Sequence, residues 1–132
     1  MKKVTLPKLK KKALDIYSEL VKLRAARDGK LYCFTCSSPL KLNTSNCQLG
    51  HFLSRGAYPG LTFHPDNSRV QDYRCNVMLH GATIEFRTRL ICEIGRPRVE
   101  KLEAQRFDSV KWSRTDFLSM IDQFKEEINT LK

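Results

Sequence analysis

Cys33-Phe34-Thr35-Cys36, followed much later by Cys75, is the feature that most restricts what this chain can become. Two thiolates from a tight knuckle and a third from the start of a helix can converge on one tetrahedral ion, which is three-quarters of a structural zinc site. For the fourth ligand the sequence offers two candidates. Asp72 stands three residues before Cys75, so on a helix the two share a face, and a carboxylate binds zinc. Cys47 is the softer ligand, but its strand position just before His51 suits a buried apolar role equally well. Cys92, far along the next helical run, reads as core. The plainer alternative for all of them is a set of small buried cysteines without metal. Five cysteines is an odd number, and a reducing compartment favours metal over disulfides.

At 132 residues, 41% hydrophobic and 29% charged, the chain can bury one compact core, which argues against wholesale disorder. Met1-Lys2-Lys3 resembles the start of a secretory signal, but Pro7, Lys8 and Lys10 to Lys12 occupy the place of its apolar stretch. With no run of about 18 apolar residues either, the expectation is a soluble, intracellular, cytoplasmic protein without a membrane partner. The 24 Lys and Arg against 14 Asp and Glu leave a formal charge of +10. It is uneven: residues 1–30 carry ten basic and three acidic groups, residues 31–96 seven and four, and residues 97–132 seven of each. A polyanion is the partner such a positive end suits.

Residues 6–27 read as an amphipathic helix with Leu9, Ala13, Ile16, Leu20 and Leu23 on one stripe, capped by Thr5 and tolerating Pro7 in its first turn. Lys8, Lys11 and Lys12 lie largely off that stripe, either as a solvated face or as phosphate contacts. Asp28-Gly29 ends the helix. From Leu31 to Phe52 a short hairpin is expected, with the Cys33–Cys36 knuckle, a turn-rich stretch and a return strand over Cys47 to Phe52. About 20 residues of loop follow, a length that in a compact domain is usually functional. Asp72 to His80 reads as helical, Gly81 as an interruption, and Thr83 to Ile94 as a second helical run. Val99 and Leu102 suggest a short helix, and Phe117, Ile121, Phe124, Ile128 and Leu131 a final one, with Ser113 and Asp116 at capping-box spacing. The expected fold is α+β and mainly helical. A single domain over 1–132 comprises a basic helix (1–30), a zinc-stapled core with one small hairpin (31–96) and C-terminal packing helices (97–132).

His51 closes the expected strand, Asn67 ends the loop, and Asn76 and His80 stand beside Cys75. That order of strand histidine, loop asparagine and helix ligands is what a ββα-metal nuclease site requires. His51 would be the general base that activates water, since neutral imidazole is available near pH 7. Asn67 would fix the loop or the His51 ring. An i,i+4 pair such as Asn76 and His80 could hold Mg²⁺ or Mn²⁺ against the scissile phosphate. Asp72 extends that row and could instead face the catalytic cation. Each residue taken alone also has a structural explanation: a bonded strand histidine, a turn asparagine, a surface amide. His64, before Pro65, is open between a loop residue and a DNA contact, and is the next candidate for the base.

Gly50-His51-Phe52-Leu53-Ser54-Arg55-Gly56-Ala57, Leu61-Thr62-Phe63-His64-Pro65-Asp66-Asn67 and Cys75-Asn76-x-x-Leu79-x-Gly81 resemble successive blocks of the NinG (Rap) phage recombination proteins, of the HNH-like ββα-metal endonucleases. The basic helix ending in Leu23-Arg24-Ala25-Ala26-Arg27-Asp28 and the closing helix extend the resemblance over most of residues 6–132. It implies a phage-encoded, metal-dependent nuclease acting on branched DNA such as Holliday junctions and D-loops. Three positions depart from the pattern. Asp72 stands where the family usually has the first Cys of a second CxxC, His80 where a small residue is expected, and Asn76 in place of the last His of the commonest HNH pattern.

The leading expectation is therefore cleavage of branched DNA to 5′-phosphate and 3′-hydroxyl ends, with Zn²⁺ as structural ion and Mg²⁺ or Mn²⁺ as catalytic ion. Lys8, Lys11, Lys12, Arg55, Arg69, Arg74, Arg87 and Arg89 would contact phosphates. Symmetrical resolution of a junction would suit a homodimer. The rivals are an HNH restriction or homing-type duplex nuclease, and a zinc-stapled DNA-binding module without catalysis.

Overall fold

The computed structural model describes residues 3–132; Met1 and Lys2, the first residues of the signal-like start, lie outside the described residues. Among the described residues no helix is long and apolar enough to cross a membrane. The protein is mainly helical, with two small antiparallel sheets.

Helix α1 spans Leu6–Ala25, with Thr5 accepting the Lys8 N–H as N-cap and Pro7 in the first turn, where its missing N–H costs nothing. It stops two residues short of the expected end. Ala26 turns extended, and Arg27 pairs with Lys30 around Asp28 (φ 53°) and Gly29 (φ 74°). Its buried face is Leu9, Ala13, Tyr17, Leu20 and Val21. Leu9 and Ala13 pack on Phe117 and Ile121 of the C-terminal helix α4 (Arg114–Leu131). Ser113 and Asp116 close a full capping box there, each accepting the other's backbone N–H at 3.2 and 2.8 Å. Leu131, placed on that helix's apolar stripe, is exposed.

The strand pairing differs from the expected single hairpin. β1 (Leu31–Tyr32) pairs only with β2 (Pro39–Leu40), closing the knuckle on itself. β3 (Gln48–His51) pairs with β4 (Ser68–Gln71), with Leu49 opposite Val70 and His51 opposite Ser68. β4 lies in the stretch that reads as loop. Ser-Arg-Val-Gln is too short for a period to show, and its partner is separated by a segment that includes the 3₁₀ turns Pro59–Leu61 and Pro65–Asn67. The knuckle joins this second sheet through Phe34 N–H, which donates to Val70 O at 2.9 Å.

Residues 72–80 also depart from the expected helix. Tyr73 opens the coil with α backbone and Arg74–Met78 continue it as a single π-turn, after which His80 (φ 52°), Gly81 (φ 91°) and Ala82 (φ 47°) run consecutively through left-handed backbone and reverse the chain. Two of the three are not glycine, at about 1–2 kcal/mol each, so the packing around this turn over-determines it. Helix α2 then covers Thr83–Ile94 as expected, and α3 covers Arg96–Ala104. Phe86, Leu90, Val99 and Leu102 from these two helices bury Phe52 and Leu61 beneath them. Each such side chain contributes about 1.5–3 kcal/mol by leaving water. Cys92, expected in the core, is exposed on α2.

Candidate functional site

The two sheets and the π-turn bring Cys33, Cys36, Asp72 and Cys75 together, with one ligand atom from each lying within 4.8 Å of all the others. Cys33 directly follows β1, Cys36 lies in the turn after it, Asp72 directly follows β4, and Cys75 lies in the π-turn. Three sulfurs and one oxygen in such a cluster fit tetrahedral zinc, whose thiolate ligands sit about 3.8 Å apart at a Zn–S distance of about 2.3 Å. The set could hold such an ion. Asp72 Oδ1 accepts the Cys75 N–H at 2.7 Å while Oδ2 accepts from the Cys36 thiol at 3.0 Å, so one carboxylate both shapes the turn and faces the sulfurs. Cys47 is buried in the apolar cluster of Tyr17, Val21 and Val70 and is not part of the set. Asp72 also stands with the cysteines rather than in a row with Asn76 and His80.

The electrostatics point the same way. Burial first, and then the neighbouring Asp72, Cys36 and Cys33, push the Cys75 thiol up to about 12 against a lowering contact from Thr35. At Cys33 burial also acts upward, but the Thr35 hydroxyl and the backbone N–H groups of Asp72, Cys36 and Thr35 outweigh it and hold the thiol below its ordinary value. Crowded acidic groups of this kind ionise together only around a cation, which inverts their mutual repulsion.

Gln71 carries no signal in the sequence beyond its place before Asp72, yet it ties the site together. Fully buried, its Nε2 donates to Thr35 Oγ1 in the knuckle at 3.0 Å and to Gly81 O in the left-handed turn at 2.9 Å. Gly50 makes room for it: a Cβ there would meet Gln71 Oε1 at 2.0 Å.

Beside this centre His51 and His80 line one cavity of about 600 Å³, with Phe52, Ser54, Ile84 and Arg87 among its walls. His51 Nε2 lies 2.9 Å from Thr62 O. A carbonyl only accepts, so the neutral ring carries its proton on Nε2 and keeps the Nδ1 lone pair unprotonated. Burial pushes the His51 pKa down to about 4, opposed by the Thr62 carbonyl and aided by Arg55, and the imidazole is neutral at pH 7.

Asn67 is fully buried and braces the loop. Its Oδ1 accepts from Leu53 N–H at 2.8 Å, and its Nδ2 donates to Leu53 O at 2.9 Å and Leu61 O at 3.1 Å. Of the two roles open to it, loop and ring, its bonds serve the loop. Asn76 and His80 are not brought together as a helical pair. The coil has ended by His80, and Asn76 Nδ2 donates to Gln48 Oε1 on β3 at 2.9 Å. His80 alone of the two lines the cavity. His64 Nδ1 accepts the Asp66 N–H at 3.1 Å and caps the Pro65–Asn67 turn.

The basic residues are spread out. Lys8, Lys11 and Lys12 are exposed on α1, with Lys11 paired to Asp15 at 2.8 Å. Arg55 and Arg74 are exposed. Arg87 in the cavity wall is held by Glu103 at 2.9 Å, Arg89 by Glu85 at 3.0 Å, and Arg69 by Glu93 at 2.7 Å.

Comparison with known proteins agrees with the sequence blocks. The chain is 24% identical over 106 residues to Protein ninG of Escherichia phage lambda, covering 80% of this chain and 50% of that protein. Protein ninG of Escherichia phage 933W and of Salmonella phage P22 match at the same identity over the same length, with 51% and 50% of those proteins covered. The chain thus spans about half the length of the curated relatives it matches. No solved structure gives a significant match. The family model described as Bacteriophage Lambda NinG protein matches residues 2–132, so the chain belongs to the NinG family.

Proposed function

We propose that this chain is a divalent-cation-dependent DNA endonuclease with an HNH-like core, stapled by zinc, that acts on branched recombination intermediates in the host cell cytoplasm. The observation that carries the reading is the His51 ring: neutral, with Nε2 committed to Thr62 O and Nδ1 unprotonated, in a cavity shared with His80.

His51 Nδ1 would take the proton of the attacking water. A phosphodiester in the cavity raises the His51 pKa from its depressed value toward a useful one, because negative charge favours imidazolium. Asn67 keeps the loop that carries Leu53 and Leu61 in place under the substrate. His80 is the donor that the cavity offers a cation, and phosphate oxygens and water would complete its shell. Such a cation would supply charge neutralisation at the leaving 3′-oxygen. Zinc at the four-residue cluster would hold the π-turn, and with it His80, in register with β3.

Incubation of the pure protein with a four-way junction and a matched duplex, with and without Mg²⁺ or Mn²⁺, tests the reading. Cation-dependent cutting of the junction in preference to the duplex, lost in His51→Ala, supports it. Equal cutting of linear duplex, or cutting at one short base sequence, selects a restriction or homing-type enzyme. The engagement of Asn76 by Gln48 favours a second reading, a DNA-binding module without catalysis, and binding without any cleavage in either cation would establish that instead.

A further inference from the structure

Tyr32 ends β1 and Phe34 opens the knuckle turn, so the two flank Cys33 along the chain. Cys33 turns into the four-residue cluster, while Tyr32 and Phe34 line a second cavity of about 430 Å³ together with Arg24, Arg27, Arg69 and Glu93. Tyr32 is 52% exposed there. The Arg69 guanidinium sits over the Phe34 ring, 5.4 Å from its centroid, and is fixed in that plane by Glu93 and by the Pro65 and Ser68 carbonyls. Arg24 pairs with Glu127, and Arg27 bonds only the Arg24 and Ala26 carbonyls, without a carboxylate partner among the described residues.

We infer that this cavity is a binding site for one unpaired nucleotide, its base stacked on Tyr32 and its phosphate held by Arg27 and Arg24. An exposed aromatic face beside guanidiniums is the combination that recognises an unstacked base and its backbone without reading sequence. Paired bases present no free face, so a duplex interior cannot use the site. The cavity reaches the Glu93 end of α2 while the His51 cavity lies at its Ile84 end. The inference rests on the DNA reading above but not on its cleavage chemistry.

The test is binding of a labelled short oligothymidylate and of a blunt hairpin duplex, in buffer without Mg²⁺ or Mn²⁺, so that failure of cleavage and failure of this site are separate results. Tyr32→Ala should weaken oligothymidylate binding about tenfold, Tyr32→Phe should stay within about twofold of wild type, and neither should change duplex binding. Tyr32→Ala without effect, or with the same loss on the duplex, would overturn the inference. Should Tyr32→Ala fold poorly, photocrosslinking of wild type to a 5-iodouracil oligonucleotide decides: adducts on Tyr32 support the site, and adducts only elsewhere overturn it. Competition by dTMP assigns the pocket to a free nucleotide, whereas Tyr32-dependent binding that dTMP does not displace assigns it to a nucleotide within a strand.

Discussion

Asp72 holds Cys75 twice over: its carboxylate accepts the Cys75 N–H at 2.7 Å and places its second oxygen among the three sulfurs of the cluster. Wild type should therefore carry one zinc per chain, and Asp72→Ala and Cys75→Ala should each lose most of it, while Cys47→Ala retains it. Metal analysis after gel filtration measures this. Unchanged zinc in Asp72→Ala would remove Asp72 from the ligand set, and metal-free wild type would dismiss the site.

His51→Ala should lower cleavage of a junction on the order of 10²–10⁴-fold while leaving DNA affinity within about twofold, because the ring supplies a proton acceptor and not a charge. Single-turnover rates and a gel-shift titration on the same substrate separate the two effects. Full activity in the variant would transfer the base to another residue.

The depressed His51 pKa also ties stability to pH. The folded ring protonates only near pH 4 whereas an unfolded one does so near 6.5, so the unfolded state binds more protons in between. This contribution is complete above about pH 6.5 and is lost progressively as pH falls toward 4. At pH 5 it amounts to a loss of about 2 kcal/mol relative to pH 7. Urea denaturation of wild type and His51→Asn at both pH values isolates it: the difference in stability between them should narrow at pH 5, and a constant difference would contradict the assignment.

Gly50→Ala should destabilise by about 2–4 kcal/mol, because the new methyl lands on the Gln71 amide and breaks its bonds to Thr35 and Gly81. Gly50→Ala combined with Gln71→Ala should cost less than the sum of the single changes, since the first clash is gone in the second background. Strict additivity in thermal melts would show that the two residues do not meet as described.

Binding to any DNA should weaken steeply with salt, by about 0.9 in log K per log unit of salt for each phosphate neutralised. Replacing Lys8, Lys11 and Lys12 together with Ala should flatten that slope and narrow the preference for a junction over a duplex. An unchanged slope would make those lysines a solvated face of α1 and nothing more.

Local signals were enough for some of the molecule. Thr5 and Pro7 mark where α1 begins, Thr83 and Ile94 bound α2, and Ser113 with Asp116 starts α4, because capping and amphipathic spacing are short-range properties of neighbouring residues. The knuckle spacing and the position of Cys75 likewise point to a set that could hold a metal ion, and the fold brings those sulfurs together. What the chain could not express locally is pairing across distance. β3 chooses β4 instead of β1 because Val70 and Leu49 bury together, a gain that exists only once the intervening loop has closed. The same closure decides between Asp72 and Cys47 as cluster partner, separates Asn76 from His80, and places Gln71 between knuckle and turn. Spacing on an ideal helix predicted a shared row for Asn76 and His80. The π-turn and three left-handed residues replace that row, because packing of β4, the knuckle and α2 around Gly81 outweighs the local preference for a continuous helix.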